Sequence, residues 1–476
     1  MKNLIQYITI VLGLIFTLTT SSCSEEFLEV DIKGNIIAET TEDYNLLFNN
    51  RLLHQFFSPL PIALSPEVCM LEPFNSGPFF PTKLPAFKWQ ESIYLPDENM
   101  VIIEEYVSNL YTYNKIIEEV PFSTGGTETE KLNIQAEALA NRAWLYFQFI
   151  NYFGKPYNPD TATTDLAFPI ITEADITESV FEQATVEAIY KFMIDDLNKA
   201  IPNLRNTFYG LRMSKGPAMA LLGKVYIFMG DYQKGMEQIN NAFAEFETSD
   251  VEIGLYDYNV TTLPGGIHAP GFVGPGVPPV NSDIENPYLR AHTNIDGSFS
   301  AELLTSPETT QLFEPTDIRR NVFYVNNSGP FTPPLPTPNI LRYVGGSFAA
   351  MGINIPDLYL LLAECKTRLN DLDGAVETIE FFRQHRMPVT DASIPSGLSQ
   401  QELLEYIMDE RKREFAVKGM EWFTTRRVFS DPMLSNKTYV HTIYNADASV
   451  KETFNLTEDR LVLKYNQRFL NENPNF

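Results

Sequence analysis

The chain has 476 residues, a formal net charge of −26 at pH 7 and a pI near 4.6. This acidity argues against nucleic-acid binding, which depends on basic side chains that neutralise phosphates. A hydrophobic content of 44%, with 13% aromatic residues, argues against a disordered chain.

The N-terminus carries the pattern of a secretion signal that ends at a cysteine. The run from Leu4 to Leu18 is almost wholly apolar and is shorter than the ~20 residues that a membrane-spanning helix needs. The small residues before Cys23 resemble a bacterial lipobox, although Thr20 stands where leucine is usual. We predict a lipoprotein signal peptide over residues 1–22 and a lipid anchor on Cys23. An ordinary signal that contains a cysteine is the alternative.

The segment EPFNSGPFFPTKLPAFKWQ, from Glu72, mixes prolines with aromatic residues and cannot be regular helix. Long loops in folded proteins are usually functional or disordered. Flat aromatic faces can pack on the C–H patches of a sugar, so this segment and its flank supply our ligand-binding candidates. They are Trp89, Phe79, Phe80 and Tyr94. The alternative is that Trp89 fills the core beneath a loop.

Two segments align at a constant offset of 140 residues. They are LLGKVYIFMGDYQKGMEQINNAF, from Leu221, and LLAECKTRLNDLDGAVETIEFF, from Leu361. Small residues, a turn and further small residues follow each other at matching positions, as in tetratricopeptide repeats. Each segment is therefore predicted to form a helix pair.

Two more tracts are predicted to be helical. YTYNKIIEEV, from Tyr111, pairs with LNIQAEALANRAWLYFQFINYFG, from Leu132, and the second of these is apolar nearly all round, as expected of a central buried helix. In the tract from Gln400, Glu410 with Arg413 and Glu414 with Lys418 have i,i+3 and i,i+4 spacing. We interpret these charges as a solvated helix face.

Glycine- and proline-rich loops separate the repeats. TTLPGGIHAPGFVGPGVPPVN, from Thr261, has five glycines and five prolines, and NNSGPFTPPLPTPN, from Asn326, has five more prolines. The region after the first loop supplies weaker ligand-binding candidates, namely Asn281, Asp283, Tyr288 and Arg290.

The sequence carries none of the common motifs for catalysis or metal binding. The five histidines lack metal-ligand spacing, and neither a Gly-x-Ser-x-Gly elbow nor a P-loop occurs. The stretch from Asp371 to Glu380 imitates a calcium loop, but Leu369 at its first position has no oxygen ligand. We interpret it as the turn and second helix of a repeat, and we predict a non-enzymatic protein without a cofactor or metal.

Five motifs in order resemble the SusD/RagB family, the starch-utilisation-system lipoproteins of the Bacteroidetes outer membrane. They are CSEEFLEV, AEALANRAWLYFQFINYFGKPY, SKGPAMALLGKVYIFMGDY, PDLYLLLAECKTRL and ERKREFAVKGMEWFTTRRV. The Ser-Glu-Glu after Cys23 also resembles a surface-export signal of Bacteroidetes lipoproteins.

The resemblance implies a mainly α, tetratricopeptide-like scaffold of four repeats, with long irregular loops and few short strands. Its halves, 23–260 and 261–476, are expected to pack as one unit. It also implies a surface-exposed, lipid-anchored protein of the outer membrane that delivers a nutrient, usually a glycan, to a SusC-like TonB-dependent transporter. A peptide ligand, a protein-binding scaffold without a soluble ligand, and a hydrolase remain alternatives.

Overall fold

The computed structural model describes residues 38–72, 82–175, 177, 180–208, 210–272, 274–293, 302–327, 335–434 and 437–476. The predicted signal peptide, the lipidation site Cys23 and the ligand candidates Phe79 and Phe80 lie outside these ranges. The predictions made for them stay predictions.

Helices make up most of the regular structure, as the sequence indicates. The α-helices of the described residues are α1 (Thr41–Leu47), α2 (Leu60–Leu64), α3 (Lys83–Phe87), α4 (Val101–Glu119), α5 (Glu128–Phe153), α6 (Val186–Ala200), α7 (Lys215–Phe228), α8 (Tyr232–Glu247), α9 (Tyr258–Thr261), α10 (Pro307–Leu312), α11 (Ile318–Val322), α12 (Ile355–Arg368), α13 (Leu372–Gln384), α14 (Gln400–Phe415), α15 (Met420–Val428) and α16 (Gln467–Glu472).

The strands are short and connect distant parts of the chain. They are β1 (Gln55–Phe56), β2 (Val68–Leu71), β3 (Ala291–Thr293), β4 (Leu304–Thr305), β5 (Tyr324–Val325), β6 (Arg342–Tyr343), β7 (Phe348–Ala350), β8 (Val440–Tyr444) and β9 (Val450–Asn455). They form three sheets, in the orders β1-β3-β7, β4-β2-β8-β9 and β5-β6. Because β2 pairs in parallel with β8, the beginning and the end of the described chain share one sheet.

The two segments that align in sequence form the same helix–turn–helix unit. α7 packs on α8 and α12 packs on α13, and each turn has a left-handed residue, with φ of 82° at Gly230 and 64° at Asn370. The aspartate that follows caps the second helix. Asp231 accepts a hydrogen bond from the Lys234 N–H, and Asp371 accepts one from the Gly374 N–H, both at 3.1 Å. The repeat prediction is confirmed, and Asp371 acts as a helix cap.

The prediction of a central buried helix is also confirmed. α5 begins with a reciprocal capping box between Thr127 and Glu130, and every residue from Ala136 to Phe153 is buried. Buried polar side chains need hydrogen-bond partners, and Arg142 has them on two neighbouring helices. It makes two hydrogen bonds to Asp196 of α6, at 2.8 and 3.0 Å, and one to Asn114 of α4, at 3.0 Å.

A second arginine ties the end of α5 to the C-terminal region. Arg426 of α15 donates hydrogen bonds to Asn151 Oδ1 at 3.0 Å, to the Leu461 carbonyl at 2.6 Å and to the Gly154 carbonyl. All three acceptors are uncharged oxygens. Burial lowers the pKa of Arg426 to about 10, because none of these hydrogen-bonded partners is a carboxylate.

The interpretation of the α14 charges as a solvated face is wrong. Glu410 and Glu414 are 0% and 2% exposed. Glu410 accepts hydrogen bonds from Arg319 at 2.6 Å, from Arg383 at 2.8 Å and from Arg413 at 2.6 Å.

Glu414 accepts hydrogen bonds from Arg319 and from Arg386, both at 3.0 Å. The i,i+3 spacing of Glu410 and Arg413 is real, but the pair belongs to a buried ionic network. That network joins α14 to α11 and to the end of α13.

A third buried carboxylate, Glu364 of α12, has a comparable environment. Arg427 holds it with two hydrogen bonds, at 2.7 and 2.6 Å, and Arg368 adds one at 2.8 Å. Burial alone would raise the pKa of Glu364, but the guanidinium groups outweigh it and lower the pKa to about 2.

We predict that Glu410→Gln lowers the free energy of unfolding by about 3–5 kcal/mol, because it leaves three buried guanidinium groups without their shared carboxylate. Chemical denaturation measures the change. Glu377→Gln, on an exposed position of α13, is the matched control and should change stability by less than ~0.5 kcal/mol. Equal effects of the two variants would contradict a buried network.

We also predict a pH dependence. The folded-state pKa of Glu364 lies below its usual 4.5, so its contribution to stability is complete above about pH 4.5 and is lost as the pH falls towards about 2. Wild type should therefore exceed Glu364→Gln in unfolding free energy by a few kcal/mol at neutral pH, and the difference should shrink as the pH falls from 4.5. A difference that stays constant down to about pH 3 would refute the ion pairing.

Candidate functional site

The first predicted ligand residues, Trp89 and Tyr94, lie in the core. Trp89 is 3% exposed and its ring stacks on His441 of β8, with ring centroids 3.7 Å apart. Its indole N–H donates a hydrogen bond to the Leu64 carbonyl at 3.0 Å. Tyr94 is 5% exposed. The alternative interpretation, that Trp89 fills the core beneath a loop, fits these contacts, because the ring has no free face for a ligand.

The residues after the Gly-Pro loop are mostly buried as well. Tyr288 and Arg290 both donate hydrogen bonds to Asn141 of α5, at 2.7 and 2.6 Å. Asp283 is 9% exposed and accepts a hydrogen bond from the Asn286 amide at 2.9 Å. Asn281 is exposed. Tyr288 and Arg290 therefore hold this region to α5 in the described structure, and their contact with a ligand stays a prediction.

The described ends of three aromatic-containing segments meet at one small apolar cluster. It consists of Cys69, Leu71, Leu304, Leu335, Ile340 and Tyr444. Leu71 precedes the segment that holds Phe79 and Phe80, and Lys83 after that segment forms an ion pair with Glu302. Phe79 and Phe80 themselves lie outside the described residues, so their contact with a ligand stays a prediction.

An open groove at the start of α4 has the composition of a ligand site. Its volume is about 270 Å³, and it is lined by Glu98, Asn99, Met100, Ile103, Glu104, Val107, Phe168, Pro169, Ile171, Phe181, Asn466, Arg468, Phe469, Glu472, Asn473 and Phe476. We call it the C-terminal groove. Pockets for drug-sized ligands usually measure ~300–1,000 Å³, so this groove suits a short segment of a longer ligand.

Stacked rings anchor the walls of the C-terminal groove to α5. Phe168 stacks on Phe149, with centroids 4.1 Å apart. Behind Phe469 of the lining, Tyr465 stacks between Phe153, with centroids 5.1 Å apart, and Phe469, with centroids 4.6 Å apart. These contacts fix the aromatic walls relative to the central helix before any ligand arrives.

The helix that forms one wall is positioned by its cap. Asn466 accepts a hydrogen bond from the Phe469 N–H at 3.0 Å, and its amide donates to the carbonyls of Leu95 and Glu98, at 2.9 and 2.6 Å. One side chain therefore both starts α16 and attaches it to the loop before α4.

The rim of the C-terminal groove is polar and carries more negative than positive charge. Arg468 donates hydrogen bonds to Asn99 and, at 3.1 Å, to Glu472. Glu98 and Glu104 add two further carboxylates to the lining. Aromatic faces beside amide and carboxylate groups are what a sugar needs, since its C–H patches pack on rings and its hydroxyls exchange hydrogen bonds with the rim.

Two other surface grooves are larger, at 460 and 480 Å³, but neither has an aromatic residue in its lining. Within the described ranges, no group of three His, Cys, Asp or Glu side chains is placed to hold a metal ion. Among the helices described, none is both long and apolar enough to cross a membrane.

Sequence reasoning missed the C-terminal groove because its walls come from three separate regions. The aromatic content of the last residues, YNQRFLNENPNF, was the available signal. These residues include a short helix without a repeat pattern, so there was no reason in the sequence to predict a binding site there.

Comparison with known proteins agrees with this architecture. Residues 86–227 match a SusD-like family described as starch-binding and associating with the outer membrane, and residues 353–475 match the SusD family. SusD-like protein P2 of Formosa agariphila is 26% identical over 349 residues, a match that spans 63% of this chain and 66% of that protein.

Two solved structures share the fold. A SusD-like carbohydrate binding protein from Bacteroides vulgatus superposes with a TM-score of 0.69 at 17% identity, covering 92% of this chain and 97% of that one. A laminarin binding SusD-like protein superposes with a TM-score of 0.59 at 19% identity, covering 84% of this chain and 94% of that one.

The two matched regions together cover more than half of the chain, and they include the repeat helices α4 to α7 and α12 to α14. The mainly α, tetratricopeptide-like fold is the one expected from the sequence. The chain therefore belongs to the SusD/RagB family of outer-membrane-associated proteins, whose members bind nutrients such as glycans.

Proposed function

We propose that this protein is a lipid-anchored, surface-exposed lipoprotein that captures a glycan and delivers it to a SusC-like TonB-dependent transporter. The observation that carries the capture step is the C-terminal groove, where preformed aromatic walls face a polar rim. Its open shape suits a saccharide chain that extends beyond it. We propose no catalytic step, because the family matched by residues 86–227 and 353–475 consists of binding proteins.

The delivery step is supported by the family and by the predicted N-terminus. A lipid on Cys23 would hold the folded chain at the membrane that contains the transporter. One acyl chain gives only marginal membrane binding, whereas the several chains of a lipoprotein cysteine give stable anchoring.

A peptide ligand is the second candidate, and the charge of the rim favours it. Glu98, Glu104 and Glu472 face one arginine, which Glu472 already neutralises. A peptide with basic and aromatic side chains would complement this rim and these walls. Glycans and basic peptides should therefore be tested side by side.

We predict that Phe469→Ala weakens glycan binding fivefold or more, since it removes one aromatic wall worth about 1 kcal/mol of stacking. Calorimetry with laminarin, starch and other soluble glycans measures this. Phe122→Ala is the matched control, because Phe122 is 86% exposed and lies at the opposite end of α4, roughly 28 Å away.

Unchanged affinity in Phe469→Ala, together with loss of affinity in Phe79→Ala or Phe80→Ala, would move the ligand site to the segment predicted from the sequence. Binding of basic peptides without any glycan would favour the second candidate.

We predict that Cys23→Ala releases the full-length protein from the membrane fraction and abolishes its labelling by a fatty acid. Cys69→Ala is the control, because Cys69 is buried in the folded chain and should leave the anchor intact. Membrane retention of an unlabelled Cys23→Ala protein would remove the lipoprotein proposal.

A further inference from the structure

A small cavity lies between five helices of the core, and we call it the five-helix cavity. Its side chains are buried, and apart from six polar residues its lining is apolar. The polar residues are Gln148 of α5, Lys224 of α7, Asp357 of α12, Arg411 of α14, and Thr424 and Arg427 of α15. The cavity has a volume of about 20 Å³, which is room for one guest of atomic size, since ~10–15 Å³ suffices for a single water molecule.

Two arginines in the wall of the five-helix cavity have N–H groups that the described residues do not use. Arg411 Nη2 donates to Asp357 Oδ1 at 2.8 Å and to Thr424 Oγ1 at 3.1 Å, which fixes the guanidinium at the wall. Within the described ranges, Arg411 Nε and Nη1 and Arg427 Nε have no hydrogen-bond acceptor, and Gln148 Oε1 has no donor. Arg411 and Gln148 are 3% and 2% exposed, so water outside the protein does not serve them. Buried polar groups of this kind need a partner.

The charges around the five-helix cavity leave one cation without a carboxylate of its own. Lys224 and Arg411 share the single carboxylate of Asp357, at 2.8 Å each. Arg427 is already paired with Glu364, which does not line the cavity. A buried charge that lacks a counter-charge is strongly unfavourable.

A neighbouring carboxylate, that of Glu421, does not complete the balance. Its Oε1 lies 3.9 Å from Arg411 Nε, which is beyond hydrogen-bond distance. Burial raises the pKa of Glu421, which disfavours its ionised form. Arg411 therefore keeps both its charge and its unused N–H groups for another partner.

The unused groups suit an anion better than a water molecule. A water molecule donates hydrogen bonds as well as accepting them, whereas a halide ion only accepts. Arg411 and Arg427 offer only donors, and the Gln148 amide presents a donor as well when its nitrogen takes the place of its oxygen. The apolar remainder of the lining screens the attraction only weakly. The small volume excludes anions of several heavy atoms, such as sulfate.

We propose that the five-helix cavity binds a small monovalent anion, for which chloride has a suitable size. Arg411 and Arg427 donate to the ion from α14 and α15, and Gln148 donates to it from α5. The ion thereby joins the central helix to two helices near the end of the chain, and its role is to stabilise the fold. This inference is independent of the proposed function, because the cavity and the C-terminal groove share no lining residue.

Thermal unfolding of the full-length protein in chloride and in gluconate, at equal ionic strength and neutral pH, tests the proposal. Gluconate is too large for the cavity, so the unfolding temperature should be higher in chloride by about 2 °C or more. Crystals grown in bromide should show an anomalous scattering peak inside the cavity, next to Arg411 and Arg427. A water molecule gives no such peak.

Gln148→Glu provides a second test, because it places a carboxylate beside the two guanidinium groups and so replaces the ion. This variant should unfold at the same temperature in chloride and in gluconate. Gln233→Glu makes the same chemical change at an exposed position of α8 and is the matched control. The control should keep the difference that the wild type shows between the two salts.

Equal unfolding temperatures of the wild type in both salts, with no bromide peak in the cavity, would overturn the proposal in favour of a bound water molecule. A chloride effect that persists in Gln148→Glu, again with no bromide peak, would assign the effect to ions at the surface and would also overturn it. The bromide experiment uses the wild type, so it decides the question even if Gln148→Glu does not fold. None of these outcomes affects the proposed capture of a glycan.

Discussion

Burial of α5 on all sides is the constraint on which the rest of the structure depends. A helix that is apolar all round cannot lie at a surface, so other elements must cover each of its faces. The buried polar residues within it hold particular elements against it, because each needs hydrogen-bond partners in the core. Arg142 donates hydrogen bonds to Asp196 of α6. Asn141 accepts one from the segment after the Gly-Pro loop, and Asn151 accepts one from α15.

The elements that could be predicted from the sequence are those that show a local sequence pattern. The repeat helices follow from periodicity, and their turns from a left-handed residue followed by an aspartate cap. The burial of Glu410 and Glu414 could not be predicted in this way. Their main partners, Arg319 and Arg386, lie on other elements, and an i,i+3 pair looks the same on a solvated face as in a core.

The candidate site shows the same difference between features that a local sequence pattern predicts and features that depend on distant residues. A proline-rich, aromatic stretch correctly identifies a loop, but it does not say which ring faces outward. Trp89 is covered by His441, which is more than 350 residues later in the chain. The C-terminal groove is assembled from Met100, Phe168 and Phe469, which no local pattern connects. Its identification required the fold.

The three hydrogen bonds of Arg426 have a mechanical consequence. The guanidinium joins the end of α5 to the Leu461 carbonyl, a few residues before the stacked ring of Tyr465. The guanidinium therefore holds this part of the wall to the central helix, in addition to the stacking of Tyr465 on Phe153. Lysine would keep the positive charge at this position but could not span acceptors spread around a plane, so here the arrangement of donors matters more than the charge.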